Sequence, residues 1–157
     1  MKIPALRRSV FFASLLIAAS YTGIASAHSW GDTLDRGGSN PTATDYVTVT
    51  CFDDGNGHPD FVVVQIEDLS APDSGLLLSA QVFKDNKMVN TTDTVSRDGV
   101  ASYPIRLNGG DGDYLVSISK TKAGPREFNL TYHCQTASGV HTGTSGPDDG
   151  EGTMQLQ

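Results

Sequence analysis

The feature that most constrains the fold is an alternation of apolar and polar side chains that returns in short stretches from Tyr46 to Cys134. In the first stretch Val47 and Val49 alternate with threonines, and in residues 128–134 aromatic and aliphatic side chains alternate with polar ones. A period of two directs the two sets to opposite faces of a β-strand. Because no window has the period of a helix, the sequence predicts an all-β protein.

Turn-forming residues divide these stretches. The clearest turn is Asn-Gly-Gly-Asp-Gly at residues 108–112. About seven short strands separated by turns at intervals of about 8–12 residues are typical of a β-sandwich. We therefore predict one β-sandwich domain at residues 46–136. An irregular N-terminal arm at residues 28–45 precedes it, and a flexible, acidic, glycine-rich tail at residues 137–157 follows it.

The first 27 residues have the composition of a secretory signal peptide. Three basic residues precede an apolar run at residues 10–19, and an Ala-Ser-Ala sequence ends at Ala27. The run is short and interrupted by polar residues, which does not suit a membrane anchor. We expect cleavage after Ala27, no membrane insertion of the mature chain, and a periplasmic or extracellular location.

Cys51 and Cys134 are the two cysteines of the chain. In an exported protein an even number of cysteines is typical of a disulfide, whereas a thiolate metal site is typical of reducing compartments. We predict a Cys51–Cys134 disulfide. By lowering the conformational entropy of the unfolded chain, it would stabilise the folded protein by roughly 4.5 kcal/mol.

The mature chain is strongly acidic. Removal of residues 1–27 takes away three of the eleven basic residues and none of the eighteen acidic ones, so 130 residues with a net charge of −10 remain. Such a surface repels nucleic acid and anionic membranes and attracts cations. The sequence also lacks a nucleophile elbow, a phosphate loop and a His-Glu-x-x-His motif, so no common hydrolase class is indicated.

Cleavage after Ala27 would make His28 the first residue of the mature chain. An α-amine has a reference pKa of about 7.7–8.0, so a metal ion displaces its proton at neutral pH. The amine, the Nδ1 atom of the ring and one further imidazole give three nitrogens, a set that suits tetragonal Cu(II). We predict a copper site at His28.

The second ligand has to be another histidine, and His133 is the preferred one. If Tyr132 and Cys134 face the core, His133 faces outward from a rigid strand, where a ligand is well positioned. His141, a short way beyond this strand, is the next choice. His58 lies in an Asp-rich loop and is interpreted as a turn residue.

An N-terminal histidine of this kind resembles the histidine brace of lytic polysaccharide monooxygenases. It also resembles periplasmic copper carriers that begin with histidine and are β-sandwiches. The resemblance rests on His28 and implies a copper cofactor.

Two further resemblances concern the architecture. Cys51 together with the Tyr132-His133-Cys134 element resembles an immunoglobulin-type sandwich, although the tryptophan expected against its disulfide is missing and Trp30 lies in the arm. The Gly112-Asp113-Tyr114 and Phe128-Asn129-Leu130-Thr131 segments are similar to the bacterial pre-peptidase C-terminal domain. Both imply an immunoglobulin-like β-sandwich.

Calcium is the alternative cation. Two loops present oxygen ligands at close spacing, as Ca²⁺ requires, although both are also good β-turn sequences. Their candidate ligands are Asp54, Asn56 and Asp60 in one loop and Asn108, Asp111 and Asp113 in the other.

Two hypotheses for the function follow. The first is a secreted copper-binding carrier, buffer or acquisition protein, with a copper-dependent oxidase or monooxygenase as a less favoured subclass. The second is a non-enzymatic extracellular module: an adhesin, a filament or surface subunit that assembles with copies of itself, or a carbohydrate-binding domain.

Overall fold

The chain forms nine β-strands and a short 3-10 helix in a computed structural model that describes residues 27–150. The strands are β1 His28–Leu34, β2 Thr44–Phe52, β3 Phe61–Asp68, β4 Leu78–Lys84, β5 Lys87–Asp93, β6 Ile105–Asn108, β7 Gly112–Lys120, β8 Arg126–Gln135 and β9 His141–Ser145. The 3-10 helix, η1, is Pro147–Asp149. No α-helix occurs in this part of the chain, so the all-β prediction is confirmed. The predicted signal peptide lies outside the described residues, except for Ala27.

All strand pairs are antiparallel, and the strand order is β5-β4-β7-β2-β9-β8-β3-β6, with β1 also paired to β8. Strand β9 joins the two halves of this path because it pairs with β2 and with β8. The two ends of the path approach each other, since the Thr91 hydroxyl in β5 donates to the Tyr103 carbonyl before β6 at 2.7 Å. The sheet is therefore nearly closed.

The core consists of the side chains on the inner face of each strand. On β8, Phe128, Leu130, Tyr132 and Cys134 are fully buried, whereas the residues between them are partly exposed. Strand β2 has the same pattern, with Val47, Val49 and Cys51 buried. The alternation seen in the sequence thus directs one face of each strand into a common apolar interior.

The predicted disulfide is confirmed. Cys51 on β2 and Cys134 on β8 are bonded, with their Cα atoms 5.6 Å apart. Both are opposite residues of β9, Cys51 opposite Thr144 and Cys134 opposite Thr142. The bond therefore ties together the two strands that flank β9.

The structure differs from the sequence prediction at both ends of the domain. The predicted irregular arm contains β1, which pairs along its whole length with β8. Its side chains also reach the core: the Trp30 ring packs edge-on against Phe128, with ring centres 5.3 Å apart, and Leu34 is buried. The predicted flexible tail contains β9 and η1, and the buried Thr142 hydroxyl donates to the Gly57 carbonyl at 2.6 Å. Both β1 and β9 are mostly polar, so they form strands because their backbone groups pair with those of neighbouring strands and not because of an apolar pattern.

A buried ion pair closes the loop after β1. The Lys120 ammonium lies 2.7 Å from an Asp35 carboxylate oxygen, and both side chains are almost completely buried. The ammonium also donates to the carbonyls of Asn40 and Lys122. The hydrogen bond from Lys120, helped by backbone amides of Gly124 and Asn40, lowers the pKa of Asp35 to about 2 although burial opposes the shift.

Asp35→Asn should lower the free energy of unfolding at pH 7, because it leaves the Lys120 ammonium buried without its anion. It should also flatten the dependence of stability on pH between about 4 and about 2. In the wild type the unfolded Asp35, with an ordinary pKa of 3.8, takes up a proton before the folded one, so stability is lost as the pH falls through this range. Urea denaturation at a series of pH values measures both effects.

Asp73→Asn is the matched control, because Asp73 pairs with Lys122 at 2.8 Å on the surface, where both side chains are about half exposed. Exposed ion pairs contribute little to stability. Equal losses for the two variants would show that burial of the Asp35 pair has no special importance.

Candidate metal centre

Strand β8 brings the ends of β1 and β9 together. His28 at the start of β1 lies opposite Tyr132, and Thr142 of β9 lies opposite Cys134. Beyond this point β9 turns away to pair with β2. We call the region where β1 begins and β9 leaves β8 the β1/β9 junction. The register places His133 at this junction, between Tyr132 and Cys134.

The rings of His133 and His141 stack on each other at the junction. Their centres are 4.3 Å apart and their planes are inclined by 10°. The Nδ1 atom of each ring is buried and has no hydrogen-bond partner within residues 27–150. Buried polar atoms in native proteins usually have a partner, so these two unpartnered nitrogens are candidate ligand atoms.

The surroundings of His133 keep its ring neutral. Burial, together with the smaller effects of the nearby His141 and His28 imidazoles, lowers its pKa to about 4. Neutral imidazole is the form that binds metal ions. His133 can therefore act as a ligand without first releasing a proton at neutral pH.

His28 is held by an aromatic ring and by two carboxylates. Its ring stacks on Tyr132 with centres 5.8 Å apart, and 21% of its side chain is exposed. Its Nδ1 atom lies 2.9 Å from Oδ2 of Asp148 and 3.6 Å from Oδ2 of Asp149, both on η1. His28 and His141 also line a common cleft of about 260 Å³.

Asp148 is fixed from two sides. The buried Tyr132 hydroxyl donates to its Oδ1 atom, and the His28 ring lies against its Oδ2 atom. Burial favours the protonated acid, but the hydrogen bonds from Tyr132 and His28 outweigh it and lower the pKa of Asp148 below its ordinary value. Asp148 is therefore a carboxylate anion at neutral pH.

The three predicted copper ligands lie at one junction, but they do not form the tightest ligand cluster. Within residues 27–150, the group of ligand atoms that all lie within 4.8 Å of one another belongs to His28, Asp148 and Asp149. His133 and His141 are not members of this group. Sequence reasoning missed the two aspartates because they follow a polar segment that has no strand or helix signal of its own.

The carboxylates in the two loops of the calcium prediction accept hydrogen bonds from other residues of the protein. Asp54 Oδ1 accepts a hydrogen bond from the Asn56 amide, Asp60 Oδ2 accepts one from the Asn108 side chain, and Asp113 Oδ1 accepts one from the Thr50 hydroxyl. These bonds are typical of turns and cross-strand pairs. Calcium binding at these loops stays a prediction.

His58 is the most exposed of the four histidines. Its Nδ1 atom lies 3.1 Å from Oδ2 of Asp111, and 78% of its side chain is exposed. His58 lies in the loop between β2 and β3, and its ring is not part of the stacked pair.

No known protein family, curated protein or solved structure matches the chain. Across residues 27–150 no helix has the length and apolar character needed to cross a membrane. Function is therefore inferred from the residues of the β1/β9 junction.

In the metal-free protein the His133 ring should stay neutral down to about pH 4. The unfolded chain has an ordinary histidine pKa of 6.5 and takes up a proton first, so stability should fall as the pH drops from about 6.5 to about 4. Imidazole ¹⁵N NMR reports the ring titration, and urea denaturation reports the stability. His133→Gln should remove this part of the pH dependence, whereas a ring that titrates near 6.5 would contradict the expectation.

Proposed function

We propose that the protein is a secreted copper-binding protein. It holds one Cu(II) ion through the α-amine and ring of a mature N-terminal His28 and through a second histidine, His133 or His141. The observation that supports this proposal best is the β1/β9 junction, where the first residue of β1 lies beside a stacked histidine pair with buried, unpartnered Nδ1 atoms.

The chemistry of the junction suits Cu(II). Removal of residues 1–27 turns the peptide nitrogen of His28 into an amine, so a six-membered chelate through the amine and ring Nδ1 becomes available. Copper stands at the top of the divalent affinity order for nitrogen ligands and accepts a tetragonal set of nitrogen and oxygen atoms. Binding requires rotation of the His133 or His141 side chain toward His28, because their ring nitrogens lie outside the 4.8 Å group.

The proposal includes a location and an architecture. Residues 1–27 direct export, the protein works in the periplasm or outside the cell, and the nine strands form a disulfide-linked, immunoglobulin-like β-sandwich. We favour a carrier, buffer or acquisition protein over a copper-dependent oxidase or monooxygenase. The cleft of about 260 Å³ beside His28 is smaller than the pockets of about 300–1,000 Å³ that bind organic substrates.

The direct test compares the protein that begins at His28 with the same protein acetylated at the His28 amine. The first should bind one Cu(II) per chain. The second should bind it more than about 100-fold more weakly, because the amine and the ring bind as one chelate and acetylation removes the amine. Isothermal titration with a competing chelator measures both affinities. Equal affinities would contradict the proposal.

Single substitutions identify the second histidine. His133→Ala or His141→Ala should weaken copper binding by about 10–100-fold, the range seen when a metal site loses one supporting group. His58→Ala is the matched control and should leave the affinity unchanged, because this exposed ring pairs with Asp111. Nitrogen couplings in the EPR spectrum should decrease in the variant that lacks the ligand. Equal loss in all three variants would contradict the assignment.

The second candidate function is a non-enzymatic extracellular module that assembles with copies of itself or binds a carbohydrate. The observation that favours it is a groove beside the end strands β5 and β6, where Met88 and Tyr103 are 61% and 83% exposed. Size-exclusion chromatography of the metal-free protein tests assembly. Polymers without metal would favour this module, and a monomer that binds copper would favour the first proposal.

A further inference from the structure

The geometry points to Asp148 as a carboxylate ligand of the copper ion at His28, with Tyr132 as the residue that positions this carboxylate. This inference rests on the proposed copper function. It adds an oxygen ligand from η1 to the nitrogen ligands of the N-terminal histidine, and it gives a role to a buried tyrosine that the nitrogen set alone does not explain.

The distance between the two ligand atoms is the first argument. Metal–nitrogen and metal–oxygen bonds to such ligands are about 2.0–2.2 Å long, so two ligands at right angles are about 2.8–3.0 Å apart. His28 Nδ1 and Asp148 Oδ2 are 2.9 Å apart. A metal ion that replaces the shared proton of this hydrogen bond therefore meets two ligand atoms already at the spacing of neighbouring positions, and the proton passes to solvent.

The orientation of the carboxylate is the second argument. Its Oδ1 atom accepts a hydrogen bond from the Tyr132 hydroxyl, which leaves Oδ2 directed at His28. The helix that carries Asp148 packs closely on the same tyrosine, because a Cβ atom at Gly146 would clash with the Tyr132 hydroxyl. Pro147, the first residue of η1, is buried. The carboxylate is thus held by packing and by a hydrogen bond before any ion arrives.

The third argument is independent of the aspartates. The buried Nδ1 atoms of His133 and His141 have no hydrogen-bond partner within the described chain, and His141 shares the cleft of His28. These nitrogens are therefore further candidate ligands at the same junction. Two nitrogens from His28, one from the histidine pair and one oxygen from Asp148 form the mixed set that tetragonal Cu(II) accepts.

Asp149 provides a matched control for Asp148. Its Oδ2 atom lies 3.6 Å from His28 Nδ1, too far for a neighbouring ligand position, and its side chain is 41% exposed. Asp149→Asn therefore removes the same charge from the same helix without removing the proposed ligand. Asp148→Asn keeps an oxygen that can accept the Tyr132 hydrogen bond but replaces the anionic ligand by an amide.

The experiment measures Cu(II) affinity, the visible d–d absorption band and the copper hyperfine coupling for the protein that begins at His28. Asp148→Asn should bind copper about 10–100-fold more weakly and shift both spectral features, because one ligand changes. Asp149→Asn should lose less than about 3-fold, from charge alone, and keep the wild-type spectrum. Circular dichroism of the metal-free variants checks that both fold.

Tyr132→Phe tests the positioning role. The variant keeps the carboxylate but not the hydrogen bond that orients it, so copper affinity should fall by about 10-fold while the hyperfine coupling changes less than in Asp148→Asn. A purely structural role for Tyr132 would change the melting temperature and leave the copper spectrum as in the wild type.

The outcomes separate this inference from the proposed function. Copper binding that needs a free His28 amine, with equal small losses and unchanged spectra for both asparagine variants, would overturn the role of Asp148 and leave the copper function intact. A wild-type mature protein that binds no copper would overturn both. A spectral change confined to Asp148→Asn supports the carboxylate ligand.

Discussion

The β1/β9 junction depends on the backbone hydrogen bonds of one edge of β8, which are divided between β1 and β9. One edge of β8 pairs with β3. The other edge is divided between β1, which pairs with β8 as far as Tyr132, and β9, which pairs with Cys134 and Gln135. Backbone donors and acceptors at a buried strand have to be paired, so both polar strands are required to complete this edge. The Cys51–Cys134 disulfide fixes the same place by joining the two partners of β9. The two strand ends are thereby held side by side.

The far end of β1 is anchored by charge. Leu34 is fully buried, and Asp35 directly after it forms the buried ion pair with Lys120 on β7. A strand that is anchored at this end and paired along its whole length has little freedom at the other end. His28 therefore lies on a rigid strand although it is the first residue of β1. A preorganised ligand has to be carried by such a rigid element.

The sequence predicted the parts of this structure that are encoded by apolar periodicity. Tyr132 and Cys134 face the core and His133 lies between them in a partly exposed position, as the period of two requires. Strand β9, His-Thr-Gly-Thr-Ser, has no apolar residue, so its pairing depends on partners that are distant in sequence. Asp148 was missed for the same reason, because its contact with His28 spans 120 positions of the chain.

The proposed function makes a proton and the copper ion compete for the same atoms at the junction. In the structure a hydrogen bond joins His28 to Asp148, while burial keeps His133 neutral. Under the proposed function, a chain that still carries residues 1–27 has a peptide nitrogen at His28, which is a poor ligand at neutral pH. In that proposal, cleavage after Ala27 supplies the amine, so the complete copper site forms only in the processed chain. The proposed copper site is in this way coupled to processing of the chain.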